Sequence, residues 1–350
     1  MFALITQKHP SASGEAKAAL ALGIRDMKAI VIEGYGGPDR LVLRERPDPK
    51  PGTGEILVRV HAAGVNPVDW KIRRGDLRMV LRVGFPYTPG GDVAGDVVEV
   101  GAGVTQFRTG DAVVAFVDVK QGGGYAELAV VKESAAAHKA QALSFTEAAS
   151  LPIAAGTALQ ALRDSGGLRE GGTTLINGAA GGVGHFAVQI ARALGAVPTA
   201  TCGQSNVDFV RSLGAETVID YSKADFTRRT EQYDVVFDAV AKSSFGACRH
   251  LLKPGGCYVT TLPTPGVFLR YPVQAVAGLF GNFKKAKFLM VGREGNDLAY
   301  LGGLADQGRL RPTIGRTFPL ERACDAHELS EAGHMRGKIV LETHTTLGAH

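Results

Sequence analysis

The chain of 350 residues predicts an α/β fold in which a doubly wound parallel-sheet domain is set into a β-rich one. Residues 153 to about 291 alternate short β-branched or apolar runs with helical stretches, which is the pattern of a parallel sheet covered by helices. Residues 27 to about 150 carry closely spaced strand-like segments punctuated by Gly and Pro, which suggests a compact, barrel-like unit. A glycine-rich turn, T-T-L-I-N-G-A-A-G-G-V-G at 173–184, sits between a strand-like run and a helical one.

Taken in order, residues 1–26 hold basic residues, alanines and a Ser-Ala-Ser-Gly stretch, without the apolar centre of a secretory signal. They read as a disordered extension ahead of the true start, because the strand-like M-K-A-I-V-I-E begins at Met27. The segments 56–60, 93–100, 112–116 and 125–131 read as strands of the first domain. In the second, strands are expected at 173–177, 197–201, 217–220, 235–238, 258–262 and 288–291, with helices between the first five. Residues 292–343 return to mixed structure and end in K-I-V-L at 338–341, which sends the chain back to the first domain. The expected domains are therefore 27–152 with 292–350, and 153–291 inserted between them.

Composition narrows the function. The net charge is +5, and the densest basic cluster, Lys284, Lys285 and Lys287, reads as a solvated face rather than a nucleic-acid patch. No apolar run is long enough to span a bilayer. The aromatic and aliphatic stretch 268–288 reads as core or subunit interface. The four cysteines, Cys202, Cys248, Cys257 and Cys324, form no C-x-x-C, and none precedes Cys202. That argues against a disulfide framework and a structural zinc site, and fits a reducing cytoplasm. There is no G-x-S-x-G, no G-x-x-x-x-G-K-[ST] and no H-E-x-x-H.

The glycine turn is a diphosphate site by its chemistry. Missing Cβ atoms let backbone approach the anion, and free N–H groups at a helix start point at it. Ala180, Gly181, Gly182, Val183 and Gly184 are the candidate contacts. A site for NAD places an acid about twenty residues on, to bind the ribose 2′-hydroxyl. Here 199–206 reads T-A-T-C-G-Q-S-N and has none. A carboxylate would repel a 2′-phosphate, so its absence favours NADP. No Arg or Lys stands in that stretch, leaving Gln204, Ser205 and Asn206, with Tyr221 or Lys223, to hold the phosphate.

Other segments then fall into an order: G-V-N-P-V-D-W-K-I-R-R-G at 64–75, P-G-G-D-V-A-G at 89–95, G-G-G-Y-A-E at 122–127, A-A-S-L-P-I-A-A-G-T-A at 148–158 and L-G-A-E-T-V-I-D-Y at 213–221. Together with the turn they resemble the zinc-free quinone oxidoreductase (zeta-crystallin-like) branch of the medium-chain dehydrogenase/reductase superfamily. The resemblance implies a GroES-like catalytic domain, a Rossmann cofactor domain, a homodimer, and NADPH-dependent reduction of quinones or conjugated enones. Zinc alcohol dehydrogenases of the same superfamily carry Cys and His ligands where this chain reads N-P-V-D and Gly90-Gly91-Asp92, so no metal is expected.

Without a metal, positioned donors must stabilise the negative charge left on the acceptor oxygen. Asn66, Trp70 and Lys71 are the candidate donors. Asp69 is expected to orient a neighbour, since an ionised carboxylate only accepts. Where the family often has a Tyr, this chain has Lys71. The family also places the Thr157 hydroxyl near the nicotinamide. Asn66 and Asp69 read equally as caps of a turn around Pro67, and Lys71 as a surface lysine. Two rival functions stay open: an alcohol or carbonyl dehydrogenase, and a non-enzymatic protein that senses NADPH.

Overall fold

The computed structural model describes residues 26–262, 283–333 and 335–343. The extension at 1–25 and most of the stretch 268–288 lie outside the described residues, so the readings made for them are not addressed.

The chain enters as a hairpin, β1 (Asp26–Val31) antiparallel to β2 (Val42–Pro47). A seven-stranded sheet follows, of which five strands come next in the chain: β3 (Glu55–Val65), β4 (Asp92–Val100), β5 (Ala112–Phe116), β6 (Leu128–Lys132) and β7 (Ala136–His138). Alternation is clearest in β6, whose Ala129 and Val131 are buried in a shared core with Ile56, Val58, Val93, Val113 and Tyr125, while β4 and β5 are buried along most of their length.

The second sheet is wholly parallel, in the order β10-β9-β8-β11-β12-β13, with β8 (Thr173–Asn177), β9 (Val197–Cys202), β10 (Thr217–Asp220), β11 (Tyr233–Asp238), β12 (Leu252–Thr260) and β13 (Lys285–Phe288). Both sides of β8 are covered, so its run of β-branched and apolar residues is buried throughout after Thr173. The order reverses between β8 and β11, and the carboxyl end of β8 at that switch point is where such sheets bind ligands. Two sequence-expected strands move. β12 begins six residues earlier than expected because the Lys253–Gly256 stretch is absorbed as a register shift between Tyr233 and Val235 of β11. β13 pairs from Lys285 rather than from Phe288.

Last come β14 (Ile314–Pro319) and β15 (Lys338–Glu342), which rejoin the first sheet: β15 lies antiparallel to β3, from Ile339 opposite Val65 to Glu342 opposite Ala62. The helix Pro152–Leu159 joins the two sheets. Its Ala154, Ala155 and Ala158 let both sheets approach, and one hydrophobic cluster runs from Ala62, Ala94 and Phe116 through it to Ile176, Phe186 and Phe237. Burying a side chain such as Phe186 stabilises by roughly 1.5–3 kcal/mol, so the two sheets share part of their stability. Among the described residues no helix is long and apolar enough to cross a membrane.

Candidate active site

β8 ends at Asn177, and the chain turns through Gly178 (φ 83°) into the helix Gly184–Ala193. The turn is rigid before any ligand arrives. Thr201 donates its hydroxyl to Asn177 Oδ1 at 2.6 Å, accepts from the Gly178 N–H at 3.2 Å, and Asn177 Nδ2 donates to Asp238 at 2.9 Å. A Cβ on Gly184 would overlap the Gly178 carbonyl oxygen, so only glycine lets helix and turn meet here. Ala180, Gly181, Gly182 and Val183 stay partly open to solvent at the helix start, where N–H groups and the helix dipole favour an anion. His185 is fully buried behind them. Its Nε2 accepts from the Thr313 N–H at 3.2 Å, which leaves Nδ1–H to donate to the Gly181 carbonyl at 2.9 Å. Burial pulls its pKa down to about 4, so it holds the loop as a neutral ring.

At the end of β9, Gln204–Asn206 form a single helical turn. Tyr221 is 56% exposed beside it, its hydroxyl close to Gly203. The local sequence offers no cation, yet the fold delivers one: Arg336 donates through Nε to Asn206 Oδ1 at 2.9 Å and through Nη2 to the Ser205 carbonyl at 3.1 Å, with its guanidinium 4.7 Å over the Phe209 ring. It comes from the segment just before β15, about 130 residues downstream of Asn206, so no local window could reveal it.

On the acceptor side, Asn66 is the N-cap of the helix Pro67–Arg74, and Asp69 Oδ2 accepts its N–H at 2.8 Å. The Asn66 amide is committed. Nδ2 donates to Asp92 Oδ2 at 2.8 Å, with a long contact to the Gly64 carbonyl at 3.4 Å, and Oδ1 accepts from Lys338 Nζ at 2.5 Å. Asn66 is 2% exposed. The expectation that its amide donates to an acceptor oxygen therefore gives way to an internal structural role, because both ends of the amide already have buried partners. Asp92 Oδ1 accepts the Ile153 N–H at 2.9 Å, which ties the cluster to the inter-sheet helix. Lys338 Nζ also donates to the Val65 carbonyl at 3.0 Å and lies 3.7 Å from Asp92. Burial lowers the Lys338 pKa and raises that of Asp92, and each charge opposes the other's shift.

Asp69 is also internal. Its Oδ2 accepts from the Tyr125 hydroxyl at 3.1 Å, and that hydroxyl oxygen lies 3.3 Å from His327 Nε2, which donates to it. Burial, only partly offset by the Asn66 N–H, pushes Asp69 up to about 7. His327 is pulled down to about 3 by burial and by the Arg73 charge. Asp69 thus orients neighbours, and caps the turn after Asn66. Lys71 is half-buried with its ammonium 5.4 Å from the Trp70 ring centre. Burial lowers its pKa. Thr157 lies buried in the inter-sheet helix.

The fold thus brings Asn66 and Asp69 together, seats Ala180–Gly184 at a helix start, and gathers Ser205, Asn206 and Tyr221 at the end of β9. Sequence reasoning missed Arg336, Lys338 and His327. For the first two, the only signal was two basic residues flanking a glycine just before a strand that returns to the first sheet.

The matches to known proteins fit this geometry. An alcohol dehydrogenase GroES-like domain matches residues 52–141, and a zinc-binding dehydrogenase domain matches 213–341. A chloroplast envelope quinone oxidoreductase homolog from Arabidopsis thaliana is 37% identical over 326 residues, covering 90% of this chain and 98% of that protein. The mitochondrial NAD(P)H oxidoreductase RTN4IP1 of Homo sapiens is 35% identical, over 82% of this chain and 81% of its own. The quinone oxidoreductase structure from Coxiella burnetii superposes with a TM-score of 0.79 at 35% identity, covering 91% of this chain and all of the other. The chain belongs to the quinone oxidoreductase branch of the medium-chain dehydrogenase/reductase superfamily. As a member it is an NAD(P)H-dependent oxidoreductase acting on a small molecule. The superfamily also holds metal enzymes, such as a cobalt- and zinc-bound alcohol dehydrogenase from Pyrobaculum aerophilum at 28% identity. Catalytic zinc takes three His, Cys or carboxylate ligands, and among the described residues no group of three converges. Of the two carboxylates at the corresponding places, Asp92 faces the Lys338 ammonium, and Asp69 accepts from the Asn66 N–H and the Tyr125 hydroxyl.

Proposed function

We propose that the protein is an NADPH-dependent reductase that passes hydride to a quinone or an α,β-unsaturated carbonyl without a metal ion. The observation that carries the metal-free reading is the Asn66–Asp92–Lys338 cluster, where a buried ammonium already balances the carboxylate and would repel a second cation. Arg336 supports NADPH over NADH, because a guanidinium held by Ser205 and Asn206 at the end of β9 would attract a 2′-phosphate, and residues 199–206 contain no acid.

When bound, the cofactor supplies the hydride from its nicotinamide ring. The protein's part is positional. Gly181, Gly182 and Val183 would hold the diphosphate, and Thr157, buried in the inter-sheet helix, would contact the nicotinamide. Asn66 and Asp69 keep the turn that carries Lys71 in place. Lys71 sets a positive charge toward the acceptor oxygen, and the proton comes from Lys71 or from water. Of the four free cysteines three are buried, which supports a reducing, cytoplasmic setting. Strand β13, at the sheet edge among the described residues, supports a homodimer, which light scattering would test.

The deciding experiment follows NADPH and NADH oxidation side by side against a panel of simple quinones and enones, with product analysis and with a chelator present. Turnover with NADPH, unaffected by the chelator, is expected. A clear preference for NADH, or inhibition by the chelator with stoichiometric zinc, would overturn the finer reading. Tight NADPH binding with no turnover across the panel would favour a sensing role.

A further inference from the structure

The two halves of the site are joined by one side chain. Lys338 begins β15 and is 3% exposed. Its stem runs directly beneath the nucleotide turn: a Cβ on Gly182 would stand 3.2 Å from Lys338 Cδ and 3.5 Å from the Gly337 carbonyl oxygen. The neighbouring Gly337 N–H donates to the Ala180 carbonyl at 2.9 Å, so the residue before Lys338 is hydrogen-bonded to the turn while the Lys338 stem packs against it. At its other end the Lys338 ammonium donates to Val65 and Asn66, the residues that open the acceptor-side helix. From behind, the Lys338 N–H donates to the Thr313 carbonyl at 2.8 Å, and Thr313 is held by His185 of the cofactor helix. Lys338 is therefore clamped by the cofactor side along its stem and holds the acceptor side with its head.

We propose that Lys338 is a positioning residue that transmits the position of the occupied nucleotide turn to the Asn66 turn, so that cofactor binding sets the acceptor side in register for hydride transfer. The ammonium acts through Asn66 and Val65 and not on the acceptor. A buried ammonium with its hydrogens on two fixed oxygens permits few alternative geometries, and a displacement of about 1 Å at a reacting centre can lower a rate by roughly 100-fold. The kinetic part rests on the reductase reading above, but the coupling itself does not.

The test is amide hydrogen exchange, with NADP⁺ titrated by fluorescence quenching. In the wild type, NADP⁺ should slow exchange both at 178–185 and at 65–72. In Lys338→Met, which keeps the stem and removes the ammonium, NADP⁺ should still bind within about threefold and still protect 178–185, while protection at 65–72 is lost. Equal protection of both segments in the variant would overturn the proposal. So would a loss of NADP⁺ affinity of tenfold or more, which would make Lys338 a cofactor ligand. Should Lys338→Met not fold, Lys338→Gln is read against the same outcomes. Where an acceptor is reduced, kcat should fall about 10–100-fold, and the Lys338→Met/Asn66→Ala double variant should be no slower than the worse single one, as expected of residues acting as one unit. Multiplying effects would overturn the coupling. A wild type that turns over no acceptor but shows the two-segment protection would sink the reductase reading alone.

Discussion

The nucleotide turn and the acceptor-side cluster are built on opposite principles. The turn is made of consecutive residues whose backbone does the binding, and its side chains are mostly absent or small. The cluster is made of side chains from Asn66, Asp69, Asp92, Tyr125, His327 and Lys338, brought from five separate stretches of chain and buried almost completely. A site made of backbone tolerates changes in distant residues but not in its own Cβ positions. A site made of buried polar side chains depends on every member having its partner.

The largest expected effect breaks the first region without touching the second. Gly184→Val forces a side chain into the Gly178 carbonyl, and a shift of the turn should weaken NADPH binding by roughly 100-fold, about 2.7 kcal/mol. Fluorescence titration measures it, with a thermal melt run alongside. Asn66→Ala is the converse. It strips partners from Asp92 and Lys338 and should lower stability by about 2–4 kcal/mol, yet leave NADPH affinity within about threefold. Equal losses of affinity in both variants would erase the contrast.

Next comes Arg336. Its two bonds hold it at Ser205 and Asn206, and a charge-assisted contact to a phosphate contributes roughly 1.5–3 kcal/mol. Arg336→Ala should therefore weaken NADPH about 10–100-fold and leave NADH nearly unchanged. Parallel titrations of both cofactors decide it, and an equal loss for both would assign Arg336 to the fold alone.

The buried titratable groups set a pH dependence of stability that the turn alone would not produce. Asp69 rises to about 7 in the folded protein, so the folded state holds its proton more tightly than the unfolded chain does. The stability this gives is complete below about pH 4 and is lost as pH rises toward 7. His185 and His327 move the other way, to about 4 and about 3. Their contribution is complete above about pH 6.5 and is lost as pH falls, because unfolding lets them take up protons. Asp69→Asn should flatten the decline in Tm between pH 5 and 8 by about 3 °C, measured by scanning calorimetry. His327→Gln should flatten the acid side instead. An unchanged profile in Asp69→Asn would place that carboxyl's proton elsewhere.

The same contrast explains what could be read from the chain. The turn at 173–184 was legible because strand, glycines and helix are contiguous, and β8 lies where expected, at Thr173–Asn177. The parallel strands were legible through composition, except β12 and β13. The first is extended by a register shift across the Lys253–Gly256 stretch, which reads locally as a break. Asn66 and Asp69 were visible as candidates, but their roles were not: whether an amide donates to a ligand or to Asp92 depends on a strand 26 residues away. Arg336 and Lys338 lay beyond reach because their partners are 130 and 272 residues distant. Spacing reports on neighbours in sequence, and both residues act on neighbours in space.

Lys71 is the smallest and most discriminating case, because it belongs to the acceptor-side helix but not to its buried cluster. Its ammonium lies over Trp70 and is only half-buried, so water screens its charge and its contribution to a distant oxygen should be modest, about 0.5–1 kcal/mol. Lys71→Met keeps the apolar stem against the indole and should lower kcat/KM for a quinone about threefold, with NADPH affinity unchanged. Steady-state kinetics across pH separate three outcomes. A threefold loss with an unaltered pH profile matches a through-space charge. A loss above about 100-fold, with the alkaline limb of the profile removed, would make Lys71 the proton donor and extend the side-chain-built site to the helix surface. No loss at all would leave protonation to water, and would confine the protein's contribution on the acceptor side to the geometry held by Asn66, Asp69 and Lys338.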